Sequence, residues 1–175
     1  HSIAYRADGS IWSWGDNANG QLGTGNTTEV HAPVQVGSDT AWVALMAGTA
    51  HSLAMKSDGS IWAWGRNSSG ELGTGNNTEQ HSPVQVSGTW ASIAAGDAHS
   101  MALKADGSLW TWGNNNTGQL GLGNYTNQNS PQQVGQDSIW IAIAAGEGHS
   151  LGLKADGTLW AWGLNLYGQL GTGNN

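Results

Sequence analysis

The chain repeats itself about every fifty residues, and that periodicity restricts its fold more than any other feature. Asp-Gly pairs begin at Asp8, Asp58, Asp106 and Asp156, spaced 50, 48 and 50 apart, and Trp-x-Trp pairs begin at Trp12, Trp62, Trp110 and Trp160 with the same steps. Self-similarity at this period implies one supersecondary unit per repeat, each burying its apolar faces only against its neighbours. The 175 residues thus read as a single array of units 1-50, 51-98, 99-148 and a partial 149-175, with the core spread along it.

Each unit contains four short extended runs separated by turn residues. The first is Trp90 to Gly96, matched by Trp42 to Gly48 and Trp140 to Gly146, and its alanines suit the innermost strand beside a propeller axis. The second, Ser52 to Lys56, alternates large apolar with small or polar residues, the period-two signature of a strand. It leads through Asp58-Gly59 into Ile61-Trp-Ala-Trp64, a strong hairpin signal. The two tryptophans lie two residues apart, so both project from one face. After a long Gly-rich stretch comes Pro83 to Val86, whose leading proline fits an outer edge strand. No segment has helical periodicity with caps. The expected fold is all-β, a β-propeller of four-stranded antiparallel blades, here about three and a half repeats.

With the strands lettered A to D from the axis outward, an up-and-down blade sends its A-to-B and C-to-D connections to one face. The B-to-C and D-to-A connections go to the other. The first face then carries His51, His99 and His149 with their preceding Gly turns, and the long segments after each Trp-Gly.

Composition narrows the function classes. Lys plus Arg total 5 against 12 Asp plus Glu, a formal charge of −7, which offers no electrostatic footprint for nucleic acid or an anionic membrane. Cysteine is absent, removing disulfides, thiolate catalysis and cysteine zinc sites. No apolar run has membrane-spanning length. Eleven tryptophans at fixed repeat positions argue against disorder despite the polar composition. The amide- and hydroxyl-rich surface leans toward a secreted or cell-surface setting.

The string Ala-Gly-x-x-His-Ser-x-x-Leu/Met-Lys-x-Asp-Gly-x-Leu/Ile-Trp-x-Trp-Gly-x-Asn-x-x-Gly-Gln/Glu-Leu-Gly, present in every unit, resembles the repeat of the regulator of chromosome condensation family. Its style is closer to the bacterial members. The resemblance implies a seven-bladed propeller used as a platform for another macromolecule. Family roles include guanine-nucleotide exchange on a small GTPase, ultraviolet reception and β-lactamase inhibition. The strand count expected here is BCD, ABCD, ABCD and ABC. That pattern reads more as a piece of a longer propeller than as a half-ring that closes by merging with a copy of itself, and an open arc exposes apolar blade faces that invite association.

Residues that recur in every unit are expected to serve the unit. His51, His99 and His149 are read as ties from one blade to the next through a backbone hydrogen bond rather than as metal ligands. Trp12, Trp14, Trp62, Trp64, Trp110, Trp112, Trp160 and Trp162 are read as packing between blades. Arg6, Lys56, Lys104 and Lys154 each precede an Asp-Gly pair with one residue between and are read as solvated hairpin pairs. The segment from Asp16 to Gly20 lacks the acidic spacing of a calcium loop. No catalytic constellation, cofactor motif or metal site stands out, so the chain is not expected to be an enzyme.

Function is expected where the units differ. The differences fall at Asp16, Asn19, Arg66, Asn67, Asn114, Asn116, Leu164, Leu166 and Tyr167 after Trp-Gly, and at Asp97 and Glu147 in the A-to-B turns. Leu164, Leu166 and Tyr167 put apolar and aromatic groups where other units are polar, either as a contact surface or as packing on an adjoining blade. The leading expectation is a scaffold for a protein partner, with rigid strands presenting variable loops. Alternatives are a carbohydrate-binding propeller and a guanine-nucleotide exchange factor, whose inserted wedge the near-constant repeat spacing leaves no room for.

Overall fold

In a computed structural model that describes residues 1–174, the chain forms fourteen strands in four antiparallel sheets. The first sheet is β1 (Ser2–Tyr5), β2 (Ile11–Gly15) and β3 (Val30–Gln35). The second is β4 (Trp42–Ala47), β5 (His51–Lys56), β6 (Ile61–Gly65) and β7 (Gln80–Val86). The third is β8 (Ser92–Ala95), β9 (His99–Leu103), β10 (Leu109–Gly113) and β11 (Gln128–Gln133). The fourth is β12 (Trp140–Ala145), β13 (His149–Lys154) and β14 (Leu159–Gly163). Strand order follows sequence order in each sheet, giving the expected BCD, ABCD, ABCD and ABC.

Two expected boundaries shift for local reasons. The inner strand of the third blade starts at Ser92 rather than Trp90, and its two counterparts bulge between Trp42 and Ala44 and between Trp140 and Ala142. The extra residues, Val43 and Ile141, turn outward and stay 47% and 60% exposed. The outer strand β7 begins three residues before Pro83, because a second bulge opposite Trp64 lets the proline sit where no ladder hydrogen bond is needed.

Blades pack face to face through alternation along β5 and β6. Leu53, Ile61 and Ala63 of the second blade are fully buried against Trp90, Ile93, Ala102 and Trp112 of the third. Ile11 and Val36 of the first blade meet Trp42, Ala54 and Trp64 of the second in the same manner. Burying each such side chain is worth about 1.5–3 kcal/mol, so each interface makes a large contribution to the fold.

The connections sort to opposite faces as the meander requires. Each C-to-D segment begins on an A-to-B turn, with Arg66, Asn114 and Leu164 donating their backbone N–H to the carbonyls of Ala50, Ala98 and Gly148. On the opposite face the Asp-Gly turns reach the next blade, where Trp90 and Trp140 donate to the carbonyls of Gly59 and Gly107.

That opposite face holds an arrangement not expected from sequence. The Lys56 ammonium lies 4.9 Å from the Trp42 ring centre and 4.1 Å from that of Trp62. Lys104 stands 5.4 and 3.8 Å from Trp90 and Trp110, and Lys154 4.8 and 4.3 Å from Trp140 and Trp160. Each lysine is clamped between two indoles that meet edge to face, and Lys56 and Lys154 also pair with Asp39 and Asp137. These cations are therefore partly desolvated blade elements, not the solvated hairpin groups expected; each clamp is worth roughly 0.5–2 kcal/mol. The Asp-Gly carboxylates are occupied within their own turns, as Asp58 accepts from the backbone and hydroxyl of Ser60.

Candidate interaction face

The recurrent histidines form a relay between blades. His1, His51 and His99 place Nε2 at 2.8, 3.1 and 2.9 Å from the hydroxyls of Ser52, Ser100 and Ser150, each in the following blade. Those hydroxyls donate in turn to the main-chain carbonyls of Gln21, Glu71 and Gln119, back in the histidine's own blade. A hydroxyl has one proton, and a carbonyl only accepts, so the imidazole Nε2–H is the donor. Burial drives the His51 pKa down to about 3, helped by the neighbouring His99 and Arg66 charges. Burial likewise lowers His99 to about 4, with His149 adding to it. The tie between blades thus runs through a serine hydroxyl rather than directly to backbone.

The same carbonyls take a second donor from the next blade. Trp64, Trp112 and Trp162 donate Nε1–H to Gln21, Glu71 and Gln119 at 2.8, 2.9 and 2.9 Å. This explains the Gly-Gln/Glu-Leu-Gly string: a Cβ on Gly23, Gly73 or Gly121 would lie 2.8 Å from the indole nitrogen. Glycine also ends strand A for contact reasons, since a Cβ on Gly48 or Gly96 would strike the His51 or His99 ring.

On this scaffold the A-to-B turns join around the axis. Thr49 N–H donates to the Asp97 carbonyl and Asp97 N–H to that of Glu147, at 3.3 and 3.2 Å. The Ala-Gly-x triplets 47–49, 95–97 and 145–147 line an open concavity of about 490 Å³. Its unlike members are Thr49, Asp97 and Glu147, so the mouth carries two carboxylates. Among the described residues, no group of three or more His, Cys, Asp or Glu side chains is arranged to hold a metal ion.

The C-to-D segments surround that mouth, and the structure divides the candidate residues there into two kinds. Asn67 is fully buried: its amide donates to the carbonyls of Asn76 and Thr78 while its Oδ1 accepts from Leu72 N–H, so it staples its loop and meets no partner. Asn17, Asn115 and Asn165 have corresponding contacts. Asp16 and Asn114 each accept from the side-chain amide of the glutamine five residues on, Gln21 and Gln119, at 2.8 Å. In the second blade Arg66 replaces the acceptor and Glu71 the glutamine; the Arg66 Nε donates to Ser68 and lies 3.5 Å from the buried Glu71 Oε1, so the swap is compensated by charge and not by a hydrogen bond. Burial pushes the Glu71 carboxyl up, opposed by backbone N–H groups and the Arg66 guanidinium.

The remaining candidates are open to solvent or only half-covered. Asn19 is half-buried with its backbone N–H on Gln21, Asn116 is exposed, and Leu166 and Tyr167 are 65% and 90% exposed. Leu164 lies over Gly148 and cannot accept from Gln169 as Asp16 and Asn114 accept from their glutamines. The eleven tryptophans all sit in or beside blade strands, so no indole stands on the loops of this face.

Sheets of this topology, locked to one another by an indole and a hydroxyl on a shared carbonyl, define a β-propeller array whose repeats are blades. The whole chain, residues 1–175, matches the family model described as RCC1-like domain, and the chain belongs to that family. Among solved structures, it is similar to Prp20p from Saccharomyces cerevisiae, with 25% identity and a TM-score of 0.81, covering 97% of this chain and 44% of that one. Yeast RCC1 (Prp20) in a structure bound to Kap60 gives 26% identity and a TM-score of 0.80, over 93% of this chain and 42% of that one. Protein RCC2 of Mus musculus is 42% identical over 53 residues, 29% of this chain and 10% of RCC2. The chain therefore spans less than half the length of these relatives.

Proposed function

We propose that this propeller arc is a non-catalytic recognition scaffold that contacts a protein partner through the face bearing the A-to-B turns and the C-to-D loops. The observation that carries this reading is the axial concavity, whose frame is invariant from blade to blade while its rim residues Thr49, Asp97 and Glu147 differ. Rigid turns with unlike side chains suit recognition. Asp16, Asp97 and Glu147 outnumber Arg66 on this face, and the chain carries −7 overall, so a partner with positive surface charge fits best. Support from relatives is that yeast Prp20 is seen bound to Kap60, and that Prp20p has binding properties toward Gsp1p and histones.

The test measures binding of the chain to purified histones and to Kap60 by biolayer interferometry. Asp97→Lys with Glu147→Lys should weaken binding at least tenfold, whereas Asp58→Lys on the opposite face should leave it unchanged. Equal effects from both faces would sink the reading.

Nucleotide exchange on a small GTPase is the second reading, favoured by the likeness to Prp20p. The described loops of the four blades are nearly equal in length, and none carries an inserted wedge. Accelerated release of labelled guanine nucleotide from Gsp1p would establish exchange; release at the intrinsic rate would remove it.

A further inference from the structure

We propose that the face opposite the A-to-B turns carries a binding site for an aliphatic carboxylate, built around Lys104 at the one blade entrance that differs from its counterparts. The linkers from outer strand to next inner strand run from Val36 to Trp42 and from Val134 to Trp140, whereas the one from Val86 to Trp90 is two residues shorter. The third blade has a blade on either side, so its entrance can be compared with the other two position by position.

Three differences meet there. The longer linkers supply Asp39 and Asp137, whose carboxylates lie 2.5 and 2.7 Å from the ammonium groups of Lys56 and Lys154. The short one offers only Ser87, Gly88 and Thr89, and among the described residues Lys104 has no carboxylate partner, although Trp90 and Trp110 clamp it in the same way. Ser57 and Ala155 donate their backbone N–H to the linker carbonyls of Ala41 and Ile139 at 3.0 and 2.8 Å, while Ala105, at their position, has no acceptor among the described residues. Finally, Ser92 stands where the other inner strands carry Ala44 and Ala142, and its Oγ is buried without a hydrogen-bond partner.

Ser92, Lys104 and Ala105 border one open hollow of about 440 Å³ where the third blade meets the fourth. An ammonium, a free backbone N–H and an unpartnered hydroxyl, which turns toward the hollow by rotating about χ1, are three donors suited to one anionic acceptor. The other two entrances show its chemistry, since each clamped lysine there holds a carboxylate. Asp106 borders the hollow too, but its Oδ1 is taken by the backbone and hydroxyl of Ser108. Asp58 and Asp156 are occupied in the same way beside lysines that still hold a second carboxylate. The far wall is aliphatic, with Ile139 and Ile141 44% and 60% exposed. The ligand therefore joins a carboxylate to a short aliphatic group, as a free acid or as the C-terminal residue of a peptide.

Proton–nitrogen correlation NMR on the full 175-residue chain tests this by titration with sodium hexanoate, with acetyl-Gly-Gly-Leu bearing a free carboxylate, and with hexanamide as the uncharged control. The Ala105 amide should shift and saturate with a carboxylate and stay in place with hexanamide. Ser92→Ala installs the residue the other blades carry and so stays folded; it and Lys104→Gln should each weaken binding by about fivefold or more, and Lys56→Gln should leave it unchanged. Saturation by hexanoate alone identifies a free acid, and saturation by the peptide alone a chain terminus. No shift with either carboxylate, equal binding of hexanamide, or an affinity unmoved by both Ser92→Ala and Lys104→Gln would each overturn the proposal.

Discussion

Replacing Ser150 with alanine should break one interblade relay and expose its worth. The Ser150 hydroxyl is fully buried, accepts from His99 Nε2–H at 2.9 Å and donates to the Gln119 carbonyl at 2.7 Å. The carbonyl keeps the Trp162 indole as a donor, so its loss is one ordinary hydrogen bond, about 1 kcal/mol. The histidine fares worse. Its Nδ1 is buried without a partner, so shifting the proton to that nitrogen only moves the orphaned N–H from one side of the ring to the other. An unsatisfied buried donor costs about 1–3 kcal/mol, for a total of roughly 2–4 kcal/mol. For a chain of this size that is a fall in Tm of roughly 5–15 °C. Ser2→Ala is the matched control: the same residue in the same repeat position, exposed on the first blade, should change stability by less than about 0.5 kcal/mol. Urea titration followed by tryptophan fluorescence and circular dichroism measures both. Equal effects from the two substitutions would refute the relay.

The relay also sets an acid limit. His51 and His99 titrate at about 3 and about 4 when folded against 6.5 ordinarily, so between these values the unfolded chain binds more protons and stability falls as pH falls. Each histidine should contribute roughly 1.4 kcal/mol per pH unit through that window, and His99→Gln should flatten the urea-midpoint profile by about half. Glu71, with its carboxyl raised above 4.5, acts in the opposite direction just above that value. Gly73→Ala and Gly171→Ala share a left-handed backbone, φ +70° and +68°, but only the former meets an indole, so it should cost at least about 2 kcal/mol more by calorimetry. Arg66→Asp with Glu71→Gln rebuilds the Asp16–Gln21 pair; the double variant should be more stable than wild type by about 0.5–1 kcal/mol, and Arg66→Asp alone less stable, in thermal melts.

The strands, their order and the sorting of loops were legible because hairpin turns and period-two alternation are local signals. Interblade partners were harder, since every copy looks alike and sequence does not tell whether His51 reaches a residue in its own unit or in the next. The signal was nevertheless there: serine follows histidine at positions 2, 52, 100 and 150 as regularly as the histidine itself recurs. The lysine clamps were missed for a different reason. A lysine before an Asp-Gly turn normally points to solvent, and only the inner-strand tryptophan, fourteen residues upstream of Lys56, makes a second ring available. Pairing between positions 16 and 21, 66 and 71, and 114 and 119 is a third case, because two differences five residues apart in a loop carry no sequence mark that one answers the other.

That coupling changes what variation between repeats signifies. A difference compensated within its own loop, as at Arg66 and Glu71, preserves the blade and leaves little for a partner to read. Asp97 and Glu147 have no such compensation: their turns are fixed by main-chain bonds, Thr49 to Asp97 and Asp97 to Glu147, with the Asp97 backbone also meeting the His51 ring. Asp97→Asn and Glu147→Gln should therefore stay within about 0.5 kcal/mol of wild type in urea titration while weakening a basic protein partner in binding assays. Loss of stability on a par with Ser150→Ala would mean that these carboxylates hold the ring of turns together, and the recognition surface would then have to be sought at Asn116 and Asn19 instead.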